Sequence, residues 1–156
     1  RRGYALFNEW AVASRLGLGV SSMVTYVGTD PELKTTWSVS GAHGPFLRWS
    51  PISDLTVMAE ADLLHRNPGY GQIALGGAGM LQFDYEVLRG LHGAATTELY
   101  RPADTLGGTD FRQWLTASWF VYPHIDLRGD AIWASEVYGA QRIASTVVLG
   151  QVHVSL

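Results

Sequence analysis

Hydrophobic and polar residues alternate with a period of two along most of this chain, and the alternation is clearest between Asp110 and Glu136. In the first half of that stretch one parity is almost wholly apolar, whereas the other is mixed, and Gln113 is the single polar residue in the apolar set. Strand side chains point to alternate faces of a sheet, so this pattern predicts a strand with one apolar face. The apolar set contains Phe111, Leu115, Ala117, Trp119 and Val121.

A second alternating segment follows after the turn-forming residues 122–126. Antiparallel pairing about the centre of that turn predicts Ser118 opposite Asp130 and Arg112 opposite Glu136. Opposite charges that face each other across a ladder are favourable, which supports this register. The whole stretch is therefore predicted to be a β-hairpin.

The same unit recurs along the chain. Short turn segments with an aromatic residue before them and an apolar residue after them begin at Trp49, Phe83 and Tyr122. Their spacing of roughly 35 residues is that of one up-and-down hairpin. Short turns at one end of the strands and longer loops at the other are typical of outer-membrane β-barrels. The longer loops are predicted at residues 28–34, 65–70, 102–109 and 137–141.

The alternation predicts eight strands from Arg15 onward. Before them, Arg1 to Phe7 is either the end of a strand or a short helix, and Asn8 to Ser14 is predicted to be a turn. Eight strands would close a small barrel with a filled interior, whereas a ninth would imply missing upstream sequence and a larger barrel. The prediction is a single all-β domain over residues 1–156, an up-and-down antiparallel transmembrane β-barrel of about eight strands or the C-terminal part of a larger barrel. The domain is either complete or truncated at its N-terminus.

The composition excludes several other classes. The chain has 156 residues, no cysteine and a formal net charge of −3. The lack of cysteine excludes disulfides, thiolate metal sites and haem attachment, and the lack of a basic block argues against nucleic acid as a partner. The five histidines show no metal-ligand spacing, so no cofactor is predicted. The sequence contains no apolar run of about 18 residues that could form a membrane-spanning helix.

The distribution of charge favours a membrane barrel over a soluble one. A soluble barrel, such as a lipocalin, would need bulky apolar groups inside and charges outside. Here only 16% of residues are charged and many of them lie within strands. A lipid environment suits an apolar exterior and a polar interior, with Val57 and Val148 facing lipid. The residues predicted to line or fill the interior are Arg15, Glu60, Asp62, Gln82, Glu98, Arg112, Arg128 and Asp130.

Aromatic residues are predicted to form two belts, one at each end of the strands. Trp49, Tyr85 and Tyr122 lie beside the short turns, and Trp37 and Tyr100 lie near the longer loops. Trp and Tyr prefer the two membrane–water interfaces, so these residues are predicted to be interface aromatics.

In the last strand, Val148, Gly150, Val152, Val154 and Leu156 alternate with polar or mixed residues. This pattern resembles the C-terminal strand of bacterial outer-membrane proteins, which ends in a hydrophobic residue and is recognised by the assembly machinery. That family usually ends in an aromatic residue, from which Leu156 departs. The resemblance implies a place in the bacterial outer membrane. It also implies the lipid bilayer, the assembly machinery and a larger membrane complex or oligomer as partners.

The function predicted from the sequence is non-enzymatic, namely a passive pore or a membrane-embedded structural scaffold. Two alternatives stay open. One is an outer-membrane hydrolase with a rim site built from Glu60, Asp62 and His65, or with a His153–Ser155 pair similar to that of lipid A deacylase barrels. The other is a soluble, lipocalin-like ligand-binding barrel.

Overall fold

The structure, a computed structural model, describes residues 2–29, 37–69, 72–103, 108–138 and 141–154. Within these residues nine strands form one antiparallel up-and-down sheet, in which each strand pairs with its neighbours in sequence. The all-β, up-and-down prediction is therefore confirmed. These ranges hold no helix long and apolar enough to cross a membrane. The strands are β1 (Arg2–Ala13), β2 (Leu16–Val27), β3 (Ser38–Ile52), β4 (Leu55–Asn67), β5 (Ala74–Leu88), β6 (Leu91–Arg101), β7 (Asp110–Tyr122), β8 (Ile125–Tyr138) and β9 (Gln141–Val154).

The N-terminal segment is a full strand, so the turn predicted at residues 8–14 was wrong. β1 pairs with β2 from Arg2 opposite Tyr26 down to its last residue, and the turn occupies residues 14 and 15. Asn8 interrupts the apolar parity of β1, but it lies directly opposite Val20 within the ladder. A polar side chain on one face does not end a strand whose backbone groups remain paired.

The β7–β8 hairpin has a two-residue turn at residues 123 and 124 with a bulge just before it. The predicted register was consequently wrong by two residues. Since strand side chains alternate with a period of two, a shift of two leaves every residue on its predicted face. Arg112 and Glu136 still form an ion pair along the diagonal, with Nη2 and Oε1 2.5 Å apart. The observed partners are Ser118 with Arg128 and Arg112 with Ala134.

The eight strands predicted after Arg15 correspond to β2 to β9. Four of them extend beyond their predicted ends, since β3 continues to Ile52, β4 to Asn67, β5 to Leu88 and β8 to Tyr138. Backbone pairing with neighbouring strands carries all four past the point where the sequence pattern weakens. Parts of all four predicted loops, at residues 30–34, 70, 104–107 and 139–140, lie outside the described residues, as does Leu156.

The sheet is open rather than closed into a barrel. Within the described ranges β1 and β9 are not paired with each other. Nine antiparallel strands place β1 and β9 in the same direction. If these edges paired directly, the seam would be parallel, and an antiparallel seam would require an odd number of further strands. A single layer also forms no conventional core, and only Gly19, Val57 and Asp130 are buried among the described residues.

Candidate functional site

Cross-strand pairing assigns each strand residue to one of two faces, because directly paired residues lie on the same side of a sheet. All ten Asp and Glu residues of the described strands lie on one face, which we term the carboxylate face. The opposite side is termed the apolar face. The ten residues are Glu9, Glu60, Asp62, Asp84, Glu86, Glu98, Asp110, Asp126, Asp130 and Glu136.

The apolar face contains a row of directly paired residues that crosses all nine strands without one polar member. Several of its large side chains have no cover, since Val148 is 78% exposed and Leu115 is 53% exposed. A continuous exposed apolar surface of this kind marks an interaction with protein or membrane. The row is Ala13, Leu16, Trp49, Val57, Phe83, Ala95, Leu115, Ala131 and Val148.

Seven of the eight residues predicted to line the interior share the carboxylate face. The eighth, Arg15, does not, because β2 begins one residue later and leaves Arg15 in the β1–β2 turn. Its Nη1 atom donates a hydrogen bond of 3.1 Å to the carbonyl oxygen of Pro51. The seven are Glu60, Asp62, Gln82, Glu98, Arg112, Arg128 and Asp130.

Asp130 is the most buried charged residue described, with 3% of its surface exposed. Its Oδ2 accepts a hydrogen bond of 3.0 Å from Nε of Arg128, two residues earlier on the same face. Its Oδ1 accepts one of 2.6 Å from the hydroxyl of Thr116, which lies directly opposite on β7. Charge-assisted bonds offset the cost of burying a carboxylate. Asp130 therefore joins β7 to β8 on this face.

Side chains from strands two apart also meet on the carboxylate face. The rings of Phe7 and Phe46, on β1 and β3, stack with their centroids 4.7 Å apart above Gly19 of β2. Nearby, Oε1 of Glu9 lies 2.7 Å from Nη2 of Arg48. Strands two apart are separated by about 9.6 Å, so these contacts require both side chains to lean over a small residue. They draw β1 and β3 together on this face. The sequence interpretation did not assign Phe7 or Glu9 to this face, because it left Arg1 to Phe7 open between a strand and a short helix and predicted a turn from Asn8 to Ser14.

Three of the predicted interface aromatics lie on the apolar face beside the short turns, namely Trp49, Tyr85 and Tyr122. Tyr122 reaches that face because of the bulge before it. Trp37 precedes β3 at the loop end and is 38% exposed. Tyr100 is different, because it pairs across the carboxylate face and so does not extend from the apolar face.

Trp10 is a further aromatic residue of the apolar face that the sequence interpretation missed. It lies near the β1–β2 turn, opposite Leu18, and is 52% exposed. Its position matches that of Trp49 beside the next short turn. The missing signal was the continuation of alternation through Asn8.

The rim hydrolase site predicted as an alternative is not assembled. Glu60 and Asp62 lie on the carboxylate face, where Oε1 of Glu60 accepts a 3.2 Å hydrogen bond from the hydroxyl of Ser21. His65 lies on the apolar face and stacks on His43, with ring centroids 5.1 Å apart. Strand residues alternate between the two faces, so the even-numbered Glu60 and Asp62 share one face and the odd-numbered His65 lies on the other.

The described residues show no metal cluster and do not include the whole of the predicted His153–Ser155 pair. They hold no group of three or more His, Cys, Asp or Glu residues that is arranged to bind a metal ion. Ser155, the partner predicted for His153, lies outside them. Comparison of the chain with models of known protein families, with curated proteins and with solved structures found no match.

Proposed function

We propose that this chain forms the wall of a β-barrel embedded in the bacterial outer membrane, and that the barrel acts as a passive pore. The observation that carries the proposal is the complete separation of strand carboxylates from the apolar row. In this arrangement the apolar face contacts lipid hydrocarbon and the carboxylate face contacts a water-filled lumen, so neither face is exposed to an unfavourable medium. Closure of the wall, directly or through further strands, would leave neither edge unpaired.

Strand length supports the same arrangement. The strands contain 11 to 15 residues, and a tilted transmembrane strand needs about 9–11. Each strand is thus long enough to cross the hydrocarbon region and extend to both interfaces. The exposed aromatics Trp10, Trp49 and Tyr85 lie on the apolar face near the turn end.

A soluble, lipocalin-like barrel would require the opposite curvature, with the apolar face turned inward. Two observations favour carboxylate-inward curvature. Contacts between strands two apart, such as Phe7 with Phe46, draw the sheet together on the carboxylate face. Burial agrees along the central strand β5, where Gln82, Asp84 and Glu86 of the carboxylate face are half-buried, whereas Leu81, Phe83 and Tyr85 of the apolar face are exposed.

The test has two stages. Detergent extraction and gel mobility before and after heating would establish whether the protein folds as a membrane barrel. Planar-bilayer recordings of the folded protein would then detect ion conductance. A protein that purifies from the aqueous fraction without detergent would refute the membrane proposal. A heat-modifiable barrel that does not conduct would refute the pore and support a membrane-embedded scaffold instead.

A further inference from the structure

The carboxylate face is much more negative than the chain as a whole. Four arginines lie on this face in the described strands against ten carboxylates, a net charge of −6 with neutral histidines, whereas the whole chain carries −3. The remaining described arginines lie in turns or on the apolar face near strand ends. The arginines of the carboxylate face are Arg48, Arg66, Arg112 and Arg128.

Three of those arginines are already engaged in ion pairs. Arg48 contacts Glu9, Arg112 contacts Glu136 and Arg128 contacts Asp130. The fourth, Arg66, lies one residue before the loop end of β4, away from the middle of the sheet. Cations of the protein therefore neutralise carboxylates on β1 and β8 and leave the central strands negative.

Glu60, Asp62 and Glu98 carry this remaining charge. Glu60 and Glu98 belong to one cross-strand row, on β4 and β6, with Met80 between them. All three carboxylates line one open cavity of about 280 Å³, which Arg112 also borders. The only hydrogen bonds to Glu60 and Asp62 that the described contacts show come from the hydroxyl of Ser21, at 3.2 and 3.5 Å. Glu98 lies directly opposite Arg112, but the guanidinium hydrogen bonds that the described contacts show go to Glu136. The three carboxylates therefore face the adjacent space.

We infer that the lumen of the proposed pore selects monovalent cations over anions, and that Glu60, Asp62 and Glu98 are the main determinants of this preference. The inference rests on the proposed pore function. Walls of one charge sign raise the local concentration of the opposite ion, and a low-dielectric protein wall strengthens the effect. A ring of carboxylates is a standard basis for cation preference in channels.

The size of the effect follows from Coulomb attraction. One unit charge about 10 Å from an ion in water changes the local ion concentration by about twofold. Screening reduces that effect over a Debye length of about 10 Å at 0.1 M salt. Removal of three charges should therefore lower the potassium-to-chloride permeability ratio by at least about twofold at 0.1 M KCl.

The experiment measures reversal potentials of the folded protein in planar bilayers under a KCl gradient. The wild-type protein should give a potassium-to-chloride permeability ratio above one, and the triple variant Glu60→Gln/Asp62→Asn/Glu98→Gln a lower ratio. Asp54→Asn removes one carboxylate from the exposed β3–β4 turn and serves as the control, with a ratio close to that of the wild type. Heat-modifiable mobility verifies that each variant is folded.

The outcomes separate the two proposals. Absence of any conductance would refute the pore itself. A conducting wild-type protein with a ratio of one or below would overturn only the selectivity inference, and this measurement needs no variant. A cation-selective wild type whose ratio falls equally in the triple variant and in Asp54→Asn would refute the assignment to the three carboxylates.

Discussion

A single charge placed on the apolar face tests whether that face contacts lipid. Val148 is the best position, because it lies at the middle of β9 and is 78% exposed. In water, Val148→Arg would leave the stability within about 0.5 kcal/mol, as expected for an exposed position. In a bilayer, arginine on the lipid face near the midplane costs about 2–4 kcal/mol. The two environments therefore give clearly different results.

The matched control is Gln151→Arg. Gln151 lies on the same strand and is also exposed, but it pairs with Arg128 on the carboxylate face. Both variants add the same side chain to the same edge strand, so a general effect of arginine on folding would appear in both. Val57→Arg is a weaker test, because Val57 is 9% exposed between Trp49 and Phe83 and its substitution disrupts packing in any solvent.

The assay is urea-dependent unfolding of the refolded protein in lipid vesicles, followed by gel mobility. We expect Val148→Arg to lower the free energy of unfolding by about 2–4 kcal/mol, which is roughly a 30- to 700-fold change in the folding equilibrium. Gln151→Arg should remain close to the wild type. Equal stability of the two variants would mean that the apolar face does not contact hydrocarbon.

Two further substitutions test the carboxylate face by the same unfolding assay. Asp130→Asn should lower the free energy of unfolding by about 1–3 kcal/mol because it weakens charge-assisted bonds to a buried group. Asp62→Asn loses one 3.5 Å contact and should be tolerated. Equal effects of the two substitutions would contradict the structural role of Asp130. Gly19→Ala should cost about 1–3 kcal/mol because its Cβ would overlap the Phe46 ring and a backbone oxygen. Gly150→Ala is its control, since a Cβ there meets nothing within 4 Å, and no loss in Gly19→Ala would argue against the ring stack.

The local alternation was sufficient to predict eight of the nine strands and the faces of most of their residues. This information is robust, because an error of two residues in the β7–β8 register moved no side chain to the other face. The pair of Arg112 and Glu136 was even identified from the wrong register. The full extent of β1 was lost because Asn8 breaks its alternation, and only pairing with β2 shows that the strand continues.

Within eight of the nine strands, the sequence by itself determined which residues share a face, since a period of two is a property of the local backbone. The tertiary structure alone decided which of them are buried or neutralised. Glu9 meets Arg48 from 39 positions away, and Asp130 is enclosed by Thr116 from a neighbouring strand. It also decided that the sheet has two open edges. Strand register, burial and edges depend on residues distant in the chain, so no local pattern encodes them.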